Sequence, residues 1–588
     1  MPVPAPDGRA MVLLITAGPA GLPAQLTAIR DAAASVGGTI VHLAGPAAAQ
    51  ADLDGAFAKT DGTLLAVTLG GILLILLLVY RSLLMPLLVM ACALLALAAA
   101  CAALYALAWS GRLPIDGQSQ GIVFVLTVGA STDYALLLTA RYREELAEQP
   151  DTARAMAAAY RATAPPVLAS AATIACAMVT LVFSALPSER ALGPAVVIAM
   201  VCCATVSLTF LPAVLTLCGW HTWRPPAGAL AGGGPAWSAR AIEHRPRRVW
   251  IGCLILLAAG AACAPLLTQT GVPLHQALPA QAPSVVGQSV LARHFPAGAA
   301  SPLVIVAPAR TAEVRSRIAA TPGVAITAVP PSGPGSREQI LATLTDTPDS
   351  AQARLAVFRL GASLAGTGAL VGGQSAQLAD LHQASVSGHR LIMPLVLAVV
   401  LAVLIVLLRC LLLPLLLVAA AWVSLLTAFG SAALVFQVIL GSTATEPAVV
   451  LFSFVFLVAL GVDYNIFLVH RIRSDAVEQG TAAGVRRGLE TTSGVISAAG
   501  IILAATFAAL GVMPLLYLAQ IGCIVAIGVL VDTLLVRLFL VPALILDLGH
   551  RTWWPALLPG DEVRVDDAVS PAPAAGDPGR PAASTPVP

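Results

Sequence analysis

The sequence predicts an α-helical polytopic membrane protein of about eleven transmembrane helices in two pseudo-symmetric halves, with α/β extracytoplasmic domains. Hydrophobic residues make up 58% of the 588 residues and charged residues only 11%, whereas roughly 25% of an average soluble protein is charged. Long runs of Leu, Ala and Val recur, and the chain repeats itself. This composition excludes a soluble enzyme, a secreted domain and a disordered protein, and the net charge of +2 suggests no nucleic-acid partner.

Eleven apolar runs are long enough to cross a bilayer, which takes about 20 residues. The predicted spans are 64–80, 84–109, 119–140, 163–186, 191–219, 249–267, 390–408, 411–438, 447–469, 493–514 and 518–547. Unbroken apolar runs favour helices over the short alternating strands of an outer-membrane barrel. The ten cysteines lie in or beside these runs and have no metal-ligand spacing, so we expect them to pack between helices without disulfides.

Arginine placement predicts the orientation, because cytoplasmic loops carry an excess of Lys and Arg. Arginines concentrate in one set of loops, such as those after residues 140, 219 and 469, which places residues 1–60 and 268–388 outside. The predicted organisation is a partial first extracytoplasmic domain (1–60), a first bundle of five helices (61–220), a cytoplasmic linker (221–248), a helix that opens the second half (249–267), a second extracytoplasmic α/β domain (268–388), a second bundle of five helices (389–548) and a disordered cytoplasmic tail (549–588).

The two external regions are expected to be small mixed domains. Alternating apolar residues predict strands at 11–17, 38–45, 301–307, 324–330 and 339–347, and helical patterns occupy 21–35, 311–320 and 350–365.

An internal repeat relates the two halves. YRSLLMP (80–86) parallels LRCLLLP (408–414) at an offset of 328, and GASTDYALLLTARYR (129–143) parallels ALGVDYNIFLVHRIR (459–473) at an offset of 330. LPAVL (211–215) also parallels VPALI (541–545) at 330. Such spacing predicts a tandem duplication. At the first offset Met1 corresponds to Val329, so we expect the first half to lack one helix and part of its external domain. A misplaced gene start is the favoured interpretation, ahead of a helix supplied by a separate polypeptide or an inactive fragment.

Three predicted spans carry ionisable groups: Asp133–Tyr134, Asp463–Tyr464, and Asp532 with Arg537. A carboxylate in the hydrocarbon layer costs about 2.5–3.5 kcal/mol on insertion scales. It persists where it is paired or where it exchanges protons, and a neighbouring tyrosine can hydrogen-bond it.

On these residues the sequence resembles the MMPL family of the RND transporter superfamily. The two Asp-Tyr pairs, each followed by an arginine-rich turn, match the family, as do GLETTSGVISAAGIILAATFAAL (488–510), GVLVDTLLVRLFLVPA (528–543) and the WWP that ends at Pro555. The resemblance implies an exporter of lipids or other hydrophobic metabolites or drugs in the cytoplasmic membrane, driven by protons. It also implies porter-like external domains, and a proton relay in which Asp133, Tyr134, Asp463 and Tyr464 face each other at the bundle centre.

Further residues are candidates to support the relay. The resemblance assigns this role to Ser170 and Phe467, although the first half has Leu137 where the family pattern has phenylalanine. Asp532 either takes part in coupling or forms a structural ion pair with Arg537. Asp116 and Glu446 correspond in the repeat at the outer ends of the relay helices and either feed protons inward or are solvated. Arg141 and Arg471 are expected to be cytoplasmic anchors, and His470 an interfacial residue.

The functional expectation is therefore proton-driven export of a lipid or other hydrophobic small molecule, with membrane lipids as further partners. The resemblance leaves open whether the protein forms a homo-oligomer or works with accessory membrane proteins. No cofactor or metal is expected, and no Walker motif is present, so the proton gradient rather than ATP is the expected energy source. Two alternatives are an inactive or scaffolding fragment of such a transporter and a protein-translocation accessory of the same superfamily.

Overall fold

The computed structural model describes residues 2–555, except for residues 6, 14, 16–20, 37, 39, 81, 150, 220–241, 273–277, 279–280, 296–297, 299–300, 309–310, 329–336, 348–349, 442 and 513–514. Most of the predicted linker (221–248) and residues 556–588 of the predicted tail lie outside the described residues.

The first half consists of a short hairpin followed by six helices. Its elements are β1 (Pro2–Pro4), β2 (Met11–Leu13), α1 (Leu22–Ala34), α2 (Pro46–Tyr80), α3 (Leu84–Trp109), α4 (Gly117–Glu148), α5 (Thr152–Val179) and α6 (Pro187–Cys218), with a 3-10 turn at Thr180–Phe183 between the last two.

The second half opens with one helix and a folded external domain before its own bundle. These first elements are α7 (Pro246–Ala261), a 3-10 turn (Ala264–Leu266), α8 (Pro283–His294), β3 (Leu303–Ala307), α9 (Thr311–Ala319), β4 (Val324–Ala328), β5 (Glu338–Leu344), α10 (Ala351–Leu364) and β6 (Leu370–Gly372). The bundle follows as α11 (Gln374–Leu408), α12 (Leu412–Leu440), α13 (Pro447–Gln479), α14 (Thr481–Ala508), a 3-10 turn (Ala509–Val512), α15 (Leu516–Val531), a π-helix (Asp532–Leu540), α16 (Val541–Leu548) and a final 3-10 turn (Gly549–Trp553).

Ten helical segments in the described part of the chain are long and apolar enough to span a membrane. They correspond to ten of the predicted spans, the last being one continuous helical segment from α15 to Trp553. The remaining predicted span, 64–80, forms the end of α2, whose apolar stretch is Leu69–Leu78. The predicted polytopic helical fold is confirmed.

The duplication is visible in the helix boundaries. The helices α2 and α11 have the same length, 35 residues, and begin at Pro46 and Gln374, an offset of 328. The helices α4 and α13 begin at Gly117 and Pro447, an offset of 330. The predicted domain boundaries at 60/61 and 388/389 fall inside α2 and α11. These two helices run from the external regions into the bundle without a break, because the residues before each apolar run are mostly good helix formers such as Ala, Gln and Leu.

Glycines also mark equivalent close contacts in the two halves, one on α6 and one on α15. A Cβ atom at Gly193 would overlap the carbonyl oxygen of Met178, and one at Gly522 would overlap that of Phe507. Both positions therefore require glycine, since the backbone of α6 or α15 approaches the preceding helix too closely for a side chain. The two contacts are equivalent, because their glycines and their carbonyl partners both correspond at an offset of 329.

The core of the bundle lies around α4 and α13, the two most buried of the candidate membrane helices. The helix α4 packs against α3, α5 and α6, and α13 packs against α11, α12, α14 and α15. The halves meet where α4 contacts α14 and α5 contacts α13. The apolar stretches of these two helices are consequently largely shielded from lipid.

The second external domain is a four-stranded antiparallel sheet in the order β4-β5-β3-β6, covered by helices α9 and α10. Its register pairs Ile305 with Ile340 and with Val371. The strands and helices predicted over 301–365 are confirmed, with boundaries that differ by a few residues, except that residues 329–330 of one predicted strand lie outside the described residues. The short strand β6 and helix α8 were not predicted, because three residues carry too little pattern and α8 begins in a Pro-rich stretch.

The first external region contains less sheet than expected. The strand β2 covers part of the predicted strand at 11–17, of which residues 14, 16 and 17 lie outside the described residues, and α1 confirms the predicted helix. The predicted strand at 38–45 is wrong for its described residues, which form an extended segment just before α2. A strand needs a neighbour to pair with, and among the described residues this segment has none. It lies instead against α8, where Leu43 leaves no room for a side chain at Gly287.

Candidate functional site

The candidate site lies at the centre of the bundle, where the two halves meet. Asp133 and Tyr134 come from the middle of α4 and are 5% and 3% exposed. Asp463 and Tyr464 lie at the equivalent place on α13, where Tyr464 is buried and the side chain of Asp463 is outside what the structure describes. The repeat therefore places the two Asp-Tyr pairs at matching depth.

Asp133 faces the opposite half. The Tyr464 hydroxyl lies within reach of the Asp133 carboxyl group, to which it can donate, and the positive charge of Arg537 acts on the same carboxyl group. The guanidinium of Arg537 in turn lies over the Tyr464 ring, 4.4 Å from its centroid, a cation–π contact. One tyrosine thus links the carboxyl group of the first half to the arginine of the second.

Arg537 is held by a buried ion pair and by backbone oxygens. It pairs with Asp532, and both side chains are almost completely buried. Its Nη2 also donates to the carbonyl oxygen of Gly461 at 3.0 Å and to that of Leu460 at 3.4 Å. These oxygens lie on α13, about one turn before Tyr464, so the arginine connects the π-helix to α13.

The π-helix explains how residues 532 and 537 come to form a pair. In an α-helix of 3.6 residues per turn, side chains five positions apart point about 140° away from each other. A π-helix closes its hydrogen bonds from i to i+5, which brings such residues almost above one another. The Asp532–Leu540 segment is a π-helix, and it places Asp532 and Arg537 on one face.

A sequence signal for this π-helix exists in the repeat. The Gly193/Gly522 contacts have an offset of 329, whereas the LPAVL and VPALI segments further along the same helices have an offset of 330. One residue has been added to the second half between them, and a single added residue is what a helix accommodates as a π segment. Sequence reasoning used only the second of these offsets and missed the insertion.

Ser170 supports the first Asp-Tyr pair. Its Oγ donates to the Tyr134 hydroxyl at 3.1 Å, and Ser170 is fully buried on α5. This orients the Tyr134 ring from the neighbouring helix. The predicted neighbourhood of Ser170 and Tyr134 is therefore present, while its role in proton transfer stays a prediction.

Phe467 and His470 do not touch the central acids in the described contacts but line a cavity of about 290 Å³ between the halves. Leu137, the counterpart of Phe467 on α4, lines the same cavity, as do Arg141 and Arg471. Because these residues follow the Asp-Tyr pairs along α4 and α13, the cavity lies toward the end of the bundle that is predicted to be cytoplasmic.

The two arginines at this end have carboxylate partners within their own helices. Arg141 pairs with Glu144 at 2.7 Å and Glu145 at 2.6 Å, and Arg471 pairs with Asp475 at 3.3 Å. Their position matches the predicted anchoring role.

Asp116 and Glu446, at the opposite end of the bundle, bind backbone N–H groups near the starts of α4 and α13. Asp116 is the N-cap of α4 and accepts a hydrogen bond from the Ser119 backbone N–H at 2.8 Å. Glu446, just before α13, accepts from the Val272 backbone N–H at 2.8 Å. Both carboxylates thereby stabilise the backbone around helix starts, and neither touches the central cluster in the contacts that the structure describes.

Comparison with known proteins decides the family. The model of the MMPL family matches residues 2–249 and 339–564. The chain belongs to the MMPL family. A putative membrane protein of Streptomyces coelicolor is 48% identical over 95% of this chain and 82% of its own length. The apo-petrobactin exporter of Bacillus anthracis is 30% identical over 90% of this chain and 76% of its own.

Solved structures share the fold. A heavy metal efflux pump superposes with a TM-score of 0.58 at 13% identity, covering 84% of this chain and 68% of its own. A crystal structure of SecDF, a translocon-associated membrane protein from Thermus, superposes with a TM-score of 0.56 at 17% identity, covering 92% of this chain and 69% of its own. This MMPL protein is thus a multi-pass membrane protein of the cell membrane with the architecture of these two groups.

Proposed function

We propose that this MMPL protein exports a lipid or another hydrophobic or amphiphilic small molecule across the cytoplasmic membrane, driven by protons that pass through the central cluster. The relatives with functional names support the export part: one is called an apo-petrobactin exporter, and an acyltrehalose exporter of Mycobacterium tuberculosis is 36% identical over 36% of this chain. The match to the second covers only 20% of that protein's own length, so it supports the class of substrate and no particular molecule.

One observation carries the proton coupling: the carboxyl groups of Asp133 and Asp532 share a single guanidinium in the described part of the cluster. With both acids ionised the three groups carry one net negative charge, and with one acid protonated they carry none. Charge that is taken out of water without compensation is costly. Oδ1 of Asp133 has no hydrogen-bond partner among the described residues, so it is open to accept a proton.

The proposed cycle follows from this dependence of the net charge of the cluster on protonation. A proton from outside neutralises the cluster, the attraction between Arg537 and the acids changes, and the halves shift along the contacts of α4 with α14 and of α5 with α13. The helices α2 and α11 run unbroken from the bundle into the external regions. They are suited to transmit such a shift to the domains that move the substrate. Release of the proton inside, through the cavity beside Phe467, resets the cluster.

Replacing Asp133 by Asn tests the proposal. Asn keeps the size and can accept a hydrogen bond, but it cannot take up and release a proton. We expect Asp133→Asn to lower export at least about 100-fold, within the 10²–10⁴ that positioned proton transfer typically contributes, with normal amounts of protein in the membrane. The measurement is substrate accumulation in a deletion strain that carries the variant, together with proton uptake by proteoliposomes.

A matched control is Asp151→Asn. Asp151 caps α5 from outside the cluster and is exposed, and Asn is an equally good N-cap, so export should stay at the wild-type level. Wild-type export by Asp133→Asn, at equal protein abundance, would refute the relay.

A further inference from the structure

A further buried acid, Glu189, lies outside the central cluster. Glu189 is in the first turn of α6 and only 1% exposed. The helix α6 has 32 residues, about 48 Å at 1.5 Å per residue, which exceeds the roughly 30 Å of a bilayer core. Leu186 and Pro187, at its start, line a cavity together with Gly372 and Gly373 of the second external domain, so its first turn lies on the side of the folded domain.

The turn before α6 holds one side of this acid. Ser184 Oγ donates to Glu189 Oε2 at 2.5 Å and accepts from the Leu186 backbone N–H at 3.0 Å. Arg190 fixes the same turn, because its Nε donates to the Ser184 carbonyl oxygen at 3.2 Å. The guanidinium thus binds backbone oxygens of the turn, and no ion pair between it and Glu189 is found among the described contacts.

The other side of Glu189 faces α11 of the second half. Ala384 of α11 lines the same cavity as Leu186 and Pro187, which brings the Ser385 hydroxyl close to the Glu189 carboxyl group. Ser385 Oγ is also 3.5 Å from Nε2 of His389, one turn further along α11, and His389 is 7% exposed. A chain of carboxyl, hydroxyl and imidazole groups therefore connects the first half to the helix that leaves the second external domain.

The groups around this chain are few in the described part of the protein. His382, further up α11, acts electrostatically on His389, and Arg354 of α10 acts on His382. From the first half, the described groups that face the chain are Glu189 itself and its neighbours Ser184 and Arg190. At the offset of 329, Leu518 corresponds to Glu189, so the second half has no equivalent acid and the chain is not a relic of the duplication.

We propose that Glu189, Ser385 and His389 form a second proton site, at the external end of the bundle, that holds α11 against the first half in one protonation state and releases it in the other. Carboxyl and imidazole groups can exchange a proton through a hydroxyl that both accepts and donates, and burial of a carboxyl group favours its neutral, protonated form. The helix α11 is continuous with β6 through Gly373, so its release would free the external domain to move. This deepens the proposed function and rests on it, since it supplies the link between protons and the external domains.

An acid in the first turn of a helix also has a purely structural use, because it interacts favourably with the helix dipole. That use requires neither burial nor contact with a second helix. The two roles differ in their consequences: a structural acid affects stability at every pH, whereas a proton site makes the α11 contact depend on pH.

The test is hydrogen exchange of residues 374–390 in the whole protein in lipid nanodiscs, between about pH 6 and pH 8 and corrected for the intrinsic pH dependence of exchange. We expect wild-type protection of this segment to change about tenfold across the range, a typical coupling between two sites. The change should disappear in Glu189→Gln and in His389→Gln and persist in Asp133→Asn. Export by Glu189→Gln should fall with a shifted pH profile, and Glu189→Asp should restore the profile.

The outcomes separate this proposal from the proposed function. Glu189→Gln and His389→Gln with the exchange and the pH profile of the wild type would overturn the second proton site, even where Asp133→Asn abolishes export. Conversely, if export proves independent of the proton gradient while exchange of α11 still depends on Glu189 and pH, the relay fails and the external proton site stands. If Glu189→Gln does not fold, Ser385→Ala makes the same test, because it removes only the bridging hydroxyl.

Discussion

Two equivalent places in the repeat carry opposite chemistry. In the second half, Arg537 pairs with Asp532 and binds the carbonyl oxygen of Gly461. At the offset of 330, Ser207 stands in the first half where Arg537 would be, Cys202 where Asp532 would be, and Ser131 where Gly461 would be. Duplication preserved the helices, while the two halves came to differ by an ion pair on one side and small neutral groups on the other.

The polar groups at this uncharged place in the first half nevertheless have partners. Cys92 Sγ lies 3.7 Å from Ser207 Oγ and 3.9 Å from Ser131 Oγ, and Cys203 Sγ donates to the Thr127 carbonyl oxygen at 3.4 Å. The first half therefore spans the membrane without charge at this place, which means that the fold itself does not require the ion pair. The ion pair is an expensive feature that the fold does not need and that only one half carries, which agrees with the proton coupling proposed above.

Among the variants that test this difference between the halves, removal of one partner of the ion pair should have the largest effect. Arg537→Gln leaves Asp532 buried without its cation, and we expect the free energy of unfolding to fall by about 3–5 kcal/mol. The double variant Asp532→Asn/Arg537→Gln should recover most of this loss while export stays absent. Thermal unfolding in detergent measures stability, and accumulation in a deletion strain measures export.

Ser207→Ala is the matched variant in the first half. It removes one weak contact to sulfur, so stability should change by less than about 1 kcal/mol and export should persist. A double variant in the second half that exports normally would show that the ion pair is structural, which was the alternative interpretation of Asp532.

The helix-to-helix distance beside the π-helix offers a second comparison. A Cβ atom at Gly500 on α14 would overlap the side chain of Thr533, whereas the first half has Ala171 at the equivalent position of α5. Gly500→Ala should therefore push α14 away from the π-helix and destabilise the protein by about 1–3 kcal/mol, the usual cost of overpacking. Unfolding in detergent again provides the measurement.

The reverse change in the first half is the control. Ala171→Gly removes a methyl group from a helix with no π segment described beside it, and should cost about 1 kcal/mol through helix propensity with normal export. If Gly500→Ala proves no more damaging than Ala171→Gly, the close approach at the π-helix is not a constraint.

The sequence predicts the fold well because its strongest signals are long and repeated. Runs of about 20 apolar residues and the consistent offsets between the halves determine the helices, and intramembrane acids identify the central positions, since charge in lipid is rare. Weak signals failed: GTIVHLAG has the alternation of a strand, but no partner strand lies beside it in the described residues.

The site was only partly predictable for a different reason. Tyr134 and Ser170 are in contact, as expected, and the Asp-Tyr pairs lie at the same depth because equivalent helices in a duplication carry equivalent residues to the same level. The Arg537 contacts with Gly461 and Tyr464 depend on a one-residue insertion, and the Glu189 chain depends on two helices from different halves. Neither follows from residue type alone.

The smallest expected effect concerns Ser170, which has no serine counterpart in the second half: at an offset of 329 it corresponds to Ala499, which is fully buried. Ser170→Ala makes the first half resemble the second and removes the donor to the Tyr134 hydroxyl. We expect a loss of about 1 kcal/mol in stability, the net value of one hydrogen bond, and a several-fold decrease in export without a change in protein abundance.

Ala499→Ser completes this comparison, because it offers a hydroxyl on the helix beside the second Asp-Tyr pair without removing any contact. Its export should stay near the wild-type level, since Tyr464 is already positioned by the Arg537 guanidinium over its ring. If Ser170→Ala exports normally while Ala499→Ser is impaired, the serine is dispensable and the crowded second half is the sensitive one. That result would place the mechanical part of the proposed cycle on α14 and the π-helix rather than on Tyr134.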